Sequence, residues 1–205
     1  MKDYYQENHK KYHEQTFDID PASFLSPLVR CLTPGSSILD VGCGSGRDLR
    51  WLKDRGFRPT GFERSSGLAA LARGHSGCPV LEGDFEGYDF SGMNVDAILL
   101  VGALVHVPHE RFSKILSNIA KALNPEGHVL LTLKEGMKTQ NGAGGRVFYL
   151  WEDGALRTVF EKLNLRVVDF SRAISKIRKS DVWLGYVLKK QGFGGNQRIA
   201  CIKRV

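Results

Sequence analysis

The stretch that most constrains this chain is "ILDVGCGSG", Ile38 to Gly46. An apolar run carrying an acid breaks there into three glycines within five positions, and Arg47 and Asp48 follow at once. Such a run reads as a strand, and the glycines let the backbone approach something it binds. Spacing rules out two common ligands. A dinucleotide loop needs G-x-G-x-x-G, but counting from Gly42 and Gly44 puts Arg47 in the third place, and counting from Gly44 and Gly46 puts Leu49 there. A P-loop needs Gly-Lys-Ser/Thr, and none follows. What remains is Asp-x-Gly-x-Gly-x-Gly, in which Asp40 opposes a pyrophosphate and favours a ligand bearing an ammonium or sulfonium charge.

The surrounding pattern places this loop. A helix is predicted over Pro21–Leu32, then strands at Ser37–Val41, Thr60–Glu63, Pro79–Leu81, Asp96–Gly102 and Gly127–Leu133. Helices are predicted between them at Arg47–Arg55, Leu68–Arg73 and Glu110–Leu123. "DAILLVG" is almost wholly apolar, as a strand covered on both faces must be. A further helix, Trp151–Leu163, precedes two last strands at Arg166–Phe170 and Val182–Leu188. The alternation implies an α/β fold, a mostly parallel sheet with helices on both faces. The glycine loop then lies at the carboxyl end of the first strand, where ligands of such sheets bind.

Two more acids fall at matching places. Glu63 ends the second strand, 21 positions after Gly42, where a carboxylate can accept from both ribose hydroxyls of an adenosine. Asp84, in "LEGDF", follows the third strand, where it can accept from an adenine amino group while Phe85 stacks on the ring.

With 205 residues the chain is expected to form a single domain around one core, with residues 1–20 as a lid and 191–205 as a loose tail. No apolar run is long enough for a membrane helix, and the polar start is unlike a signal peptide. Cys31, Cys43, Cys78 and Cys201 are scattered, so neither a disulfide framework nor a metal site is expected, and a cytoplasmic setting is. The net charge of +7 is lopsided: from Leu165 onward ten Lys and Arg face two acids. That segment suits RNA or an acidic partner. With no aromatic-interleaved basic stretch beside it, a solvated surface is the preferred reading.

Taken together, "ILDVGCGSG", "GFRPTGFERS", "LEGDF", "VDAILLVGALVHV" and "LNPEGHVLLTL" resemble, in order, the class I S-adenosylmethionine-dependent methyltransferases. The "GRD" after the loop and the compact length are similar to the small-molecule enzymes of the ubiquinone-biosynthesis and tellurite-resistance types. The resemblance implies a Rossmann-like seven-stranded sheet with its last strand antiparallel. It implies S-adenosylmethionine as cofactor and S-adenosylhomocysteine as product. Gly42, Gly44 and Gly46 would approach the methionine part, Glu63 would hold the ribose, Asp84 and Phe85 the adenine, with Cys43 and Arg64 also counted as cofactor-binding. Val101 and Gly102 would line the pocket behind the sulfonium. A Tyr-rich N-terminal segment folds over the cofactor in relatives, which would bring Tyr12 or Thr16 against it. Arg47 either grips the cofactor carboxylate or pairs with Asp48 or Glu63.

Displacement at a sulfonium needs orientation and a dry site, and a base only if the acceptor must lose a proton. The candidates for that base are His106, Glu135 and Tyr149, the last two flanking the glycine-rich "GMKTQNGAGG", read as a loop over the acceptor pocket. The expected partner is a small-molecule methyl acceptor. The Asn/Asp-Pro-Pro-Tyr/Phe signature of enzymes that methylate base amino groups is absent, so nucleic acid is not favoured. The sequence leaves monomer or homodimer undetermined.

Overall fold

The structure, a computed structural model, describes residues 4–175 and 178–191. Two short helices, α1 (Tyr4–Glu7) and α2 (His9–Thr16), lead into α3 (Ala22–Val29). The alternating part follows as β1 (Ser37–Val41), α4 (Arg47–Lys53), β2 (Arg58–Glu63), α5 (Ser66–Ser76), β3 (Val80–Glu82), β4 (Val95–Val101), α6 (His109–Ile119) and β5 (Leu123–Lys134). A hairpin of β6 (Thr139–Asn141) and β7 (Val147–Tyr149) precedes α7 (Asp153–Lys162), β8 (Leu165–Ile174) and β9 (Val182–Lys190).

Seven strands form one sheet in the order β3-β2-β1-β4-β5-β9-β8. The pairs from β3 to β5 are parallel. The last strand, β9, runs antiparallel to both β5 and β8, between which it is inserted. The order reverses between β1 and β4, so the cleft at the carboxyl ends of those strands is where this topology admits a ligand. Alternate residues of β4 face opposite ways: Ala97 and Leu99 pack with Leu25 and Leu28 of α3, Ile98 and Leu100 with Phe112, Ile115, Leu116 and Ile119 of α6. Each buried Leu, Ile or Phe among them stabilises the fold by about 1.5–3 kcal/mol relative to exposure.

Polar groups set the register where apolar packing does not. Asp96, at the start of β4, accepts from Ser37 N at 2.8 Å, Ser37 Oγ at 2.9 Å and Asn124 Nδ2 at 2.9 Å, tying the starts of three strands together. Those donors hold its carboxyl below the usual range. Ser65 caps α5 by accepting from Leu68 N, and Gly77 closes it in the left-handed region.

Two expectations need correction. The "GMKTQNGAGG" stretch is not a bare loop: Thr139, Gln140 and Asn141 pair antiparallel with Tyr149, Phe148 and Val147. Its polar and glycine-rich composition hides the strands, whose pairing is carried by backbone bonds. The helix predicted to reach Leu123 ends at Ile119 in a 3₁₀ turn, because Leu123 already pairs with Val95 and the following turn bulges out before His128 meets Ala97. The N-terminal tyrosines lie on two short helices. The expected tail, Gln191 apart, and Cys201 lie outside the described residues, among which no helix is long and apolar enough to cross a membrane.

Gly46 shows how tightly the loop is built in. It holds φ of 86°, and a Cβ there would lie 2.8 Å from the Ala72 Cα of α5. Gly35 has a similar φ of 80° with nothing within 4 Å. Gly35→Ala is therefore expected to cost about 1 kcal/mol from backbone strain alone, and Gly46→Ala about 2–4 kcal/mol because the α4–α5 contact must also open. Urea denaturation of the two variants checks the difference; equal costs would mean the contact with α5 gives way freely.

Candidate active site

The glycine loop leaves β1 and is pinned to β2. Gly42 N and Cys43 N both donate to Phe62 O, at 2.7 and 3.2 Å. Glu63, at the end of β2, is buried. Its Oε2 accepts from Gly44 N at 3.0 Å and its Oε1 from Ser65 N at 2.9 Å. Burial raises its carboxyl above the usual range against the pull of those amides. Asp40, also buried, lies behind the loop with Oδ2 unpartnered. Burial first, then the neighbouring Asp48 and Glu63 charges, lift its pKa well above normal, against Arg47. An unsatisfied carboxylate oxygen without solvent is costly, and a cationic group is what would complete it.

Arg47 forks onto Asp48, Nε to Oδ1 at 2.7 Å and Nη2 to Oδ2 at 3.1 Å, and its Nη1 donates to Thr16 O at 3.3 Å. Of the two readings of this residue, the structure displays the brace, with the guanidinium also holding the N-terminal segment down. The other loop residues divide. Gly46 backs onto α5, and the Cys43 sulfur points toward Gly61 in a small core beneath the loop. Gly44 faces Tyr12, whose ring carbon would stand 3.4 Å from a Cβ placed there. Arg64 sits 3.5 Å from Asp84 at the exposed end of β3, and Phe85 is half-buried beside them. At the end of β4, Val101 and Gly102 are half-buried, and Gly102 N donates to Thr132 Oγ1 at 2.9 Å.

The N-terminal helices lie across this end of the sheet. Tyr12 meets Tyr5 edge to face with centroids 5.3 Å apart. The Tyr5 hydroxyl is 2.8 Å from His106 Nε2, while His106 Nδ1 is 2.6 Å from Val147 O on β7. A carbonyl only accepts, so Nδ1 carries the proton and Nε2 accepts from the phenol. Burial, with Arg146, Lys134 and Arg64 nearby, lowers the His106 pKa against the carbonyl bond, so this imidazole is neutral at pH 7. A contiguous path thus runs from Gly44 through Tyr12 and Tyr5 to His106.

The other two candidate bases are not on that path. Glu135 is bound to Arg172 of β8 at 2.7 Å. Tyr149 stands edge to face with His109 at 5.6 Å, while Phe148, its neighbour on β7, packs on His106 at 4.6 Å; the alternation of a strand sends the two rings to opposite sides. His109 Nε2 meets Leu150 O, so His106 and His109 engage different carbonyls.

Sequence reasoning missed Lys134 and Asp181. They form a buried pair at 2.7 Å, each with 7% side-chain exposure, capped by Gln140 and lying 3.8 Å below the Phe148 ring. It missed Arg146 as well, whose guanidinium lies 3.8 Å from the Tyr4 ring centroid. The cluster of aromatics around "RVFYLW" was its only trace in the sequence.

Comparison with known proteins bears on this geometry directly. Residues 38–127 match the family model described as a methyltransferase domain. Over those residues the chain is similar to that family, and its seven-stranded sheet has the fold of class I methyltransferases. The 1,6-didemethyltoxoflavin-N1-methyltransferase of Burkholderia thailandensis, solved with its substrate and S-adenosylhomocysteine bound, has the same fold: TM-score 0.73, 20% identity, 92% of this chain and 84% of that one covered. A TehB-like S-adenosylmethionine-dependent methyltransferase from Corynebacterium glutamicum superposes with a TM-score of 0.69 at 20% identity, over 91% and 98% of the two chains. In sequence, the probable tRNA methyltransferase 9B of Bos taurus is 26% identical over 166 residues, 80% of this chain and 32% of that protein. The chain spans 22% to 32% of the length of the curated relatives of that name.

The Lys134–Asp181 pair has a measurable role in holding β5 to the segment before β9. Removing one partner leaves the other charge buried, so Asp181→Asn is expected to destabilise by about 3–5 kcal/mol. Lys134→Met combined with Asp181→Leu should cost less than Asp181→Asn alone. Chemical denaturation of both variants decides it; a double variant no better than the single would mean that the pair is net stabilising.

Proposed function

We propose that this protein transfers a methyl group from S-adenosylmethionine to a small-molecule acceptor by in-line displacement. The observation that carries the proposal is Asp40: a buried carboxylate with an unpartnered oxygen, behind a glycine loop at the switch point of the sheet. A ligand with an ammonium and a sulfonium group meets that need, and a pyrophosphate does not. Glu63 keeps lone-pair capacity for a ribose diol beyond the backbone amides it accepts from. Asp84 and Phe85 flank the place an adenine would occupy, and Tyr12 and Tyr5 cover the loop with aromatic faces suited to a sulfonium. The cofactor supplies the electrophilic methyl group and a neutral thioether leaving group.

The chain's own residues then orient the acceptor and exclude water. Where the acceptor must lose a proton, Tyr5 and His106 act together. The acceptor's proton passes to the Tyr5 oxygen as the phenol proton moves to Nε2. The Nδ1–H bond to Val147 O fixes the tautomer for this step. The half-buried cover formed by α1 and α2 favours a small acceptor. A second reading, an RNA acceptor, draws on the basic C-terminal quarter and on the likeness to the tRNA methyltransferase 9B proteins. Methyl-donor turnover with small thiols, phenols, quinols and amines against RNA separates the two. A non-catalytic binding protein would bind cofactor and turn over none of them.

S-Adenosylhomocysteine is expected to raise the melting temperature, by about 2.7 kcal/mol of stabilisation at a hundredfold excess over Kd. No shift and no calorimetric heat at millimolar ligand would overturn the assignment. Glu63→Gln should weaken binding by about tenfold or more while circular dichroism stays unchanged, since a charged diol acceptor is lost.

Asp40 makes the binding pH-dependent. Its pKa is raised in the free protein, and a bound ammonium favours the ionised form. Binding should therefore release a proton, and Kd should rise as pH falls through the raised pKa. Calorimetry in two buffers of different ionisation enthalpy reads the proton count, which Asp40→Asn should reduce.

A further inference from the structure

Charge is divided sharply across the candidate site. The acids Asp40, Asp48 and Glu63 lie behind and beside the glycine loop, whereas Arg146, Lys134 and Arg64 act on His106. Most of these cations are already answered. Lys134 has Asp181 at 2.7 Å, Arg64 has Asp84 at 3.5 Å, and Arg47, on the loop, has Asp48 at 2.7 Å. Arg146 has no carboxylate partner among the described residues. It is half-buried at the base of β7, its guanidinium 3.8 Å from the Tyr4 centroid, 5.8 Å from Tyr5 and 5.5 Å from Phe148. Its Nε is spent on Ala143 O at 3.1 Å, and its charge and hydrogen bonding act on the Tyr5 phenol, which burial otherwise pushes up.

Stacked rings hold a guanidinium by its faces and leave its edge, with the remaining N–H donors, for an in-plane acceptor. That edge belongs to the residue before Val147, the one whose carbonyl fixes His106, so whatever Arg146 binds lies beside the Tyr5–His106 pair. A cationic acceptor there would meet Arg146 and the sulfonium together, which is unfavourable on both counts. Lys134 does not change the sign, because Asp181 neutralises it.

We propose that Arg146 is an acceptor-binding residue and that the methyl acceptor carries an anionic group, a carboxylate or a phosphate ester, which docks on the edge of its guanidinium with the nucleophile toward Tyr5 and His106. The proposal rests on the methyltransferase assignment above, and it adds the charge of the acceptor and the residue that selects it.

Benzoate, phenyl phosphate and neutral benzamide, titrated calorimetrically into the protein saturated with S-adenosylhomocysteine, test it. At least one of the two anions is expected to bind about tenfold or more tighter than benzamide, the difference one charge-assisted hydrogen bond makes. The tighter of the two tells carboxylate from phosphate. Arg146→Gln should abolish the preference, Arg146→Lys should retain part of it, and both should keep the wild-type affinity for S-adenosylhomocysteine. Equal affinity for anion and amide, no anion binding at 10 millimolar (roughly −2.7 kcal/mol), or a preference that survives Arg146→Gln would each overturn the proposal. Failure of S-adenosylhomocysteine to bind the wild-type protein is a separate result and would instead overturn the methyltransferase assignment.

Discussion

The carboxylate of Glu63 holds the ligand end of this molecule together. By accepting from Gly44 N and Ser65 N it ties the glycine loop after β1 to the turn that starts α5, and so fixes both walls of the cleft at once. The rest follows from that tie. With the loop held, Gly46 can back directly onto Ala72, α4 and α5 pack side by side, and Cys43 drops into the small core beneath. Ser65 in turn caps α5, and its hydroxyl donates to Gln6 Oε1 at 2.9 Å, which ties the N-terminal segment to the same turn. The same carboxylate that organises the loop is the one proposed above to hold a ribose diol, so on that proposal structure and ligand binding draw on one group.

Charge gives the site its direction. Acids gather on the side of the loop, where Asp40 is left with an unpartnered oxygen, and cations gather around His106. Between them lie neutral phenols, Tyr5 and Tyr12, contributed by helices from the far end of the chain. A site polarised in this way suits a positively charged donor on one side and an electron-rich acceptor on the other. The N-terminal segment is part of that arrangement: Arg47, braced by Asp48, holds Thr16, and Tyr5 holds His106.

The main strands and their order of appearance were legible because each is an apolar run bounded by glycine, proline or an acid. That Asp40, Glu63 and Asp84 fall at or just after the ends of β1, β2 and β3 was legible from the same runs, and such ends are where ligands bind in parallel sheets. The β6–β7 hairpin was not, since "TQN" and "VFY" lack an apolar alternation long enough to stand out from the glycines between them. Lys134 and Asp181 are 47 positions apart and meet only because β9 inserts beside β5. Glu135 looked available in the sequence for the same reason: nothing nearby marks Arg172 as its partner.

The sequence by itself therefore determined the α/β sheet, the glycine loop and the three acids at the ends of successive strands, because strand periodicity and loop spacing are local properties. Tertiary structure alone decided which polar groups are free to act. It committed Arg47 to Asp48 and Glu135 to Arg172, buried Lys134 against Asp181, and left Asp40 Oδ2 without a hydrogen bond and Arg146 without a carboxylate among the described residues. Pairing and desolvation depend on what the fold brings within a few ångströms, and separation along the chain carries almost none of that information.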